Sequence, residues 1–397
     1  MNDNTNDNYG IKDILKSKTM EFPVKVLLII FASAFTAPLV PLHYCIKYIH
    51  DLKQGKKPIL KTSKLFYPYL ILIMSSILGA LINGNYLSIL TTIFGFTPYI
   101  IFSVYVGREL KIRQIIPMLK FMVYLSLPCG IIGLYQKAFV DLIQGRVIST
   151  FFNANYYAYI LEIIILITIG IYPYFKTRKE KIWLYIITAV NIVNLYFTGC
   201  RTGMLALAVS VLVYFFITKS YKLFYTMLCL GILIAVTTFF HPNLVPRFYL
   251  LDDNIEQREL YWNIALLGIR TSPIFGRGFF SFGKYAARYG VKPPHCHNLF
   301  LNLWMEFGIP GLIGFIWVIF IPAKDCLANI KKSPYSNILA SILSIILATL
   351  IHGITDLTMI GIQTSLVFLI IIEMSLVITK DTDSERTFPA YDNIKSA

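Results

Sequence analysis

The sequence predicts an all-α fold: a polytopic transmembrane bundle of eleven or twelve helices, with one long extracytoplasmic loop that contains a short amphipathic helix. Three observations predict it. The 397 residues are 56% hydrophobic and 14% charged, whereas an ordinary soluble domain is about 45–50% apolar and about 25% charged. Apolar stretches of about 18 or more residues, each long enough to cross a hydrocarbon core of about 30 Å, recur from end to end. Most connections between them are very short, which packs neighbouring helices antiparallel in one bundle.

In chain order, the first apolar run, 23–46, is interrupted by Pro38 and Pro41 and is too short for two full crossings. It reads either as one span or as a broken, re-entrant hairpin. Spans follow near 66–83, 87–106, 115–136, 155–174, 182–198, 202–218, 223–240, 299–322, 337–355 and 361–379. A polar and aromatic insertion at 241–298 stands between two of them. The expected organisation is thus an N-terminal transmembrane bundle at 1–240, an extracytoplasmic active-site loop at 241–298, C-terminal transmembrane helices at 299–379 and a cytoplasmic tail at 380–397. Within the loop, Asp252 and Asp253 precede a stretch whose Leu260, Ile264, Leu267 and Ile269 recur at helical spacing, as in an amphipathic helix on the membrane surface.

The composition excludes a disordered, collagenous or disulfide-stapled chain. Cys45, Cys129, Cys200, Cys229, Cys296 and Cys326 are scattered without CxxC spacing and suggest neither a disulfide framework nor a zinc site. No cleavable signal peptide is expected from the polar start, so the first apolar run stays in the mature protein. A net charge of +15 would raise nucleic acid as a partner in a soluble protein. Here the positions of the charges matter more, and no nucleic-acid partner is expected.

Lys and Arg concentrate in short cytoplasmic loops. Lys47, Lys53, Lys56, Lys57, Lys61 and Lys64 place 45–65 inside, and alternation from there puts every other short basic loop inside as well, including those with Arg108, Lys176, Lys219 and Lys331. The same alternation places 137–154, the turn at 199–201, the segment 241–298 and the turn near Asp356 outside. The N-terminus stays open: a single first span leaves it outside, a hairpin inside. The outer face holds Arg146, Arg201, Arg247, Arg258, Arg270, Arg277 and Arg288 but few lysines. A planar, permanently charged fork grips carboxylate or phosphate in bidentate fashion, so this face looks built for an anionic ligand.

The run GIRTSPIFGRGFFSFG followed by HCHNLFLNLWMEFGIPG resembles the "P-x-x-G-x-G" and "H-N-x-[FY]-L" motifs of the O-antigen ligase and polymerase family. FFNANYYAYIL resembles its "F-x-N-x-N-x-x-A", TGCRTGMLAL its "[ST]-x-S-R-x-[AG]-x-L", and Arg258 with Trp262 its "R-x-x-x-W-x-x-A". The resemblance covers about 150–320 well, and the flanking spans by topology. Cys200 and Cys296 stand where the family often has Ser and Ala; both replacements are small and leave the charged chemistry untouched. The resemblance implies transfer from a polyprenyl (undecaprenyl) diphosphate-linked oligosaccharide to a glycan acceptor hydroxyl outside the plasma (inner) membrane, with no cofactor and no metal. It implies that Arg201 and Arg258 hold the donor diphosphate and that His297 acts at the acceptor hydroxyl. Fixed cations stabilise the charge that develops on the leaving diphosphate, and a neutral histidine can take the hydroxyl proton.

Each of these residues also has a plainer reading. His297 can cap a helix or meet water, Arg201 can snorkel to lipid headgroups, and Arg258 can pair with Asp253 or Glu256. Arg277 sits in a glycine-flanked loop that suits either ligand contact or exposure. Asn153 and Asn155 cap a helix or meet sugar hydroxyls, and Asn298 beside His297 is expected to bind substrate. His352 and Asp356, four apart, share a helix face at the lip of the site. His295 and His297 form an HxH pair for which no third metal ligand is obvious. Glu162, Glu306 and Glu373 lie in apolar runs, where ionisable groups are costly and often face cavities.

The leading reading is a polymerase that joins lipid-linked repeat units into a cell-surface polysaccharide. A ligase with the same donor and another acceptor is the near alternative. A transporter or flippase is the alternative of another class, disfavoured because no internal repeat is visible and the polar constellation gathers at the outer rim. A non-enzymatic scaffold comes third. Membrane lipid is a partner on any reading. A separate flippase is implied by the donor's chemistry, and a chain-length regulator by the resemblance.

Overall fold

The computed structural model describes residues 10–247 and 251–387, with side chains assigned outside 251–254 and 383–387. The side chains of Asp252 and Asp253 and the tail beyond Thr387 therefore lie outside the described residues. Among the described residues, sixteen α-helices follow in chain order. The first six are α1 (Ile11–Lys16), α2 (Glu21–Ala32), α3 (Leu39–Lys53), α4 (Phe66–Ile82), α5 (Tyr86–Thr91) and α6 (Thr97–Glu109). Next come α7 (Ile112–Phe139), α8 (Ala154–Ile171), α9 (Arg178–Phe197), α10 (Arg201–Ile217) and α11 (Tyr221–Phe240). The last five are α12 (Leu251–Thr271), α13 (Phe282–Ala286), α14 (Leu299–Asn329), α15 (Ser336–Gly353) and α16 (Ile362–Thr387). No strand occurs among the described residues, and the all-helical bundle expected from the apolar runs is what forms.

Among the described residues, seven stretches are long and apolar enough to cross a membrane by themselves: Tyr86–Glu109, α7, Ala154–Tyr174, α11, α14, α15 and Ile362–Thr382. The helices α4 and α10 are apolar but shorter. That count is smaller than eleven or twelve for local reasons. The 23–46 run breaks between Ala32 and Leu39, so neither α2 nor α3 reaches full span length. The first turn of α9 carries Arg178, Lys179, Glu180 and Lys181, and Thr177 caps it by accepting the Glu180 N–H at 3.1 Å. The short amphipathic helix expected in 241–298 is the 21-residue α12.

Position in the bundle follows from how apolar each helix is around its circumference. Apolar on all sides, α8 is enclosed by α7, α9, α10 and α15. By contrast α11 is apolar but buries none of its residues, and it lies at the periphery. The 28 residues of α7 span about 42 Å, carrying the chain from Arg113 at one end of the bundle to Lys137 at the other.

One kink positions the site. In α14, Gly308 adopts φ 67° and ψ −169°, just before Pro310, which has no N–H to give the ladder. The carbonyls freed there are taken by the neighbouring loop: Arg277 N–H donates to Met305 O at 2.9 Å and Gly278 N–H to Glu306 O at 2.8 Å. A Cβ on Gly308 would lie 2.0 Å from Ile274 O. Gly308→Ala is expected to cost about 1–3 kcal/mol from backbone strain alone, seen as a lower unfolding temperature in detergent. Gly231→Ala, on α11 with nothing within 4 Å of its Cβ, should leave that temperature unchanged or raised.

Candidate active site

Two loops meet at one end of the bundle. Asn298 caps α14, its side chain accepting the Leu301 N–H at 2.9 Å, and its amide donates to Ile354 O at 2.8 Å. That bond ties the turn carrying His297 to the loop after α15, which carries Asp356. His297 itself has φ 55°, a left-handed backbone that non-glycine residues adopt at a cost.

Asp356 is 3% exposed, and both of its oxygens accept hydrogen bonds. Oδ1 accepts from His297 Nδ1 at 2.9 Å and from the Leu357 N–H at 2.8 Å. Oδ2 accepts from the Asn155 amide, whose oxygen in turn accepts from Arg146 Nη2. Arg146 Nε donates to Thr198 O at 2.7 Å. Burial alone would raise the Asp356 carboxyl, but the His297 hydrogen bond and the neighbouring histidines hold it well below the usual carboxylate range. An ionised Asp356 takes the proton-bearing Nδ1 of His297 and leaves Nε2 as the imidazole's acceptor. The ring stacks on Tyr261 at 5.9 Å between centroids and is partly open to solvent.

His295 supplies a different element. Its Nδ1 accepts the His297 N–H at 3.2 Å and lies 3.9 Å from Asp356 Oδ1. Burial pushes it down to about 4, against the pull of Asp356, so it is neutral near pH 7. The third group that the HxH pair lacked in the sequence is thus Asp356; the nearest donor atoms of the three lie within 4.8 Å of one another. The hydrogen bonds already give each Nδ1 a role: one donates to the carboxylate, the other accepts a backbone N–H.

Four arginines, Arg146, Arg201, Arg247 and Arg258, line the same pocket as His297 and Asp356, with a volume of about 150 Å³. Arg201 Nη1 donates to Arg247 O at 3.0 Å, and Arg247 Nη2 to Gln144 Oε1 at 2.5 Å. Arg201 and Arg258 make no ion pair among the described residues. Burial lowers the Arg146 guanidinium from its ordinary value, offset in part by Asp356. A small pocket with four guanidinium groups, whose one carboxylate is already engaged, suits an anion with several oxygens.

The structure therefore gathers His297, Arg201, Arg258, Asn155, His352 and Asp356 into one place. Asn155 faces Asp356 and Arg146, and Asn153 caps α8 by accepting the Tyr156 N–H at 2.9 Å. Asn298 is a helix cap that also braces the two loops. Arg277 stands apart: its guanidinium lies 4.3 Å from the Tyr285 ring centroid and donates to Thr271 Oγ1. His352 and Asp356 do not share a helix face, because α15 ends at Gly353; His352 turns to Glu162. Arg146 and Arg247 are additions to the pocket. Their signal in the sequence was their type, arginine on the face where lysine is scarce.

Residues 184–316 match a family model described as O-Antigen ligase. The matched stretch includes Arg201, Arg247, Arg258 and His297 and bears out the resemblance that the motifs carry. No curated protein matches the chain. The match covers about a third of the chain, and the described residues around it supply the long apolar helices of a multi-pass membrane protein.

Asp356→Asn keeps the shape but loses the charge that fixes the His297 tautomer. It should lower turnover by about 10²–10⁴-fold, measured as initial rate on the lipid-linked substrate. Acid stability tests His295. The unfolded chain protonates this histidine near 6.5, whereas the folded protein resists until about 4. Stability is therefore full above the upper value and falls as pH drops through that window, by on the order of 3 kcal/mol. Unfolding temperature recorded from pH 7 to 4.5 should decline less steeply in His295→Gln, which keeps an acceptor for the His297 N–H.

Proposed function

We propose that this protein is a polymerase that joins polyprenyl diphosphate-linked oligosaccharide repeat units into a cell-surface polysaccharide, on the extracytoplasmic face of the plasma membrane. The observation that carries the reading is a histidine with a carboxylate-fixed tautomer opening onto a pocket of four arginines. His297 Nε2 takes the proton of the acceptor hydroxyl as its oxygen bonds to the anomeric carbon of the donor. The bond from that carbon to the diphosphate breaks, and the diphosphate leaves with the electron pair among Arg146, Arg201, Arg247 and Arg258. Guanidinium groups fixed in place beforehand stabilise that charge without reorganising. Asp356 stabilises the imidazolium that forms.

A lipid donor is supported by an apolar cavity of about 400 Å³, lined by Tyr69, Phe96, Leu299, Phe307, Leu357 and Phe368 among others. Leu299 and Leu357 directly follow Asn298 and Asp356, so the cavity begins where the polar site ends. The outward orientation of the site is supported by the basic loops: Lys56, Lys57, Lys64, Arg108 and Lys380 line a separate pocket that shares no residue with the arginine site. On this reading 241–298 is the active-site loop, a separate flippase delivers the donor, and a chain-length regulator acts alongside. A ligase that uses the same donor with another acceptor is favoured only by the family description.

Purified protein given polyprenyl diphosphate-linked repeat unit alone should yield a ladder of products on a gel. His297→Ala should abolish it while the protein remains folded by size-exclusion chromatography. Folded wild-type protein that makes no ladder alone, but transfers when a second glycan acceptor is added, is a ligase. Arg201→Lys keeps the charge and loses the fork; KM for the donor should rise about tenfold, and an unchanged KM would remove Arg201 from the diphosphate site.

A further inference from the structure

A second reactive cluster converges at the floor of the arginine pocket and has no part in the transfer just described. Cys200 Sγ lies 3.4 Å from His352 Nε2, and His352 Nδ1 lies 2.8 Å from Glu162 Oε1. The three come from separate helices: Glu162 from α8, His352 from the last turn of α15, and Cys200 from the position before α10. His352 and Glu162 are fully buried, whereas Cys200 is 6% exposed and lines the arginine pocket. Gly203 marks where they meet. A Cβ there would stand 2.5 Å from Glu162 Oε1, 3.3 Å from Cys200 Sγ and 3.4 Å from His352 Cε1, so the missing side chain leaves the cluster its space. Glu162 Oε2 has no hydrogen-bond partner among the described residues, which commits this carboxylate to His352.

The order thiol, imidazole, carboxylate is the arrangement that activates a nucleophile: the carboxylate takes Nδ1–H, and Nε2 is left to accept the thiol proton. Cys200 stands at the N-cap of α10 and lines the pocket that Arg146 and Arg201 also line. We propose that Cys200 is an activated thiol, a modification site for small sulfur and oxygen electrophiles that enter through the arginine pocket. With a thiosulfonate, Sγ bonds to the electrophilic sulfur, the sulfur–sulfonyl bond breaks, sulfinate leaves, and the thiol proton stays on His352 until water removes it. With a hydroperoxide, Sγ takes one oxygen, the O–O bond breaks, and the departing oxygen takes the proton from His352, leaving a sulfenic acid. The inference goes beyond the donor reading, because it holds whatever anion the arginines bind.

The test uses the full-length protein in detergent, with adducts located by peptide mass spectrometry and a free cysteine peptide in the same tube as standard. At pH 6.5, methyl methanethiosulfonate should label Cys200 at least tenfold faster than the standard, and Glu162→Gln should remove that advantage. The comparison of wild-type Cys200 with the standard needs no variant. After normalisation to the standard, an anionic sulfonatoethyl reagent should outpace a cationic trimethylammonioethyl one at least tenfold. Labelling no faster than the standard overturns the activated thiol. Preference for the cationic reagent overturns entry past the arginines.

Discussion

A carboxylate taken out of water must be met by donors, and Asp356 is met on both oxygens. The cost of its burial is offset by the His297 ring, a backbone N–H, and an asparagine that is itself held by Arg146. Satisfying that one charge brings together α8, the loop before it, the turn before α14 and the loop after α15. The same contacts choose the tautomer of His297, so the requirement that keeps the rim folded also sets the histidine's chemistry.

The arginines obey the opposite rule. Arg201 and Arg258 are not neutralised by carboxylates among the described residues, and mutual repulsion in a small pocket costs stability in the absence of an anion. A ligand that supplies the missing negative charge is therefore favoured twice, by its own contacts and by relief of that repulsion. The neighbouring triad of Cys200, His352 and Glu162 shares the pocket without sharing its hydrogen bonds, since His352 faces Glu162 while His297 faces Asp356.

Fold class was legible because hydrophobic runs of membrane length leave few alternatives. The break in the 23–46 run was visible in Pro38 and Pro41, but whether a break yields one span or two helices depends on neighbours; here Ala34 N–H finds Thr150 O. His297, Arg201 and Arg258 were legible because motifs place them. The pairing of Asn155 with Asp356 was not, being a contact across 201 residues of chain. Spacing suggested that His352 and Asp356 share a helix face, and the early end of α15 separates them. The glycines around Arg277 suggested approach to a ligand, yet their closeness is to backbone: a Cβ on Gly276 would meet Gly308 N at 2.5 Å. Cys200 read as a small departure from a motif, and only the packing of α8 against α15 gives it Glu162 and His352.

The peripheral helix α11 links two parts of the site. It begins shortly after α10, which starts at Arg201, and it leads into the segment that carries Arg247. Because α11 buries none of its own residues, its depth is set by the lipid around it more than by the bundle. Hydrophobic mismatch is relieved by tilt, at a cost of fractions of a kcal/mol per Å. Tilt of α11 therefore acts on the segment whose Arg247 carbonyl accepts from Arg201 Nη1. A helix with no buried residue thus stands in the chain between two arginines of one pocket.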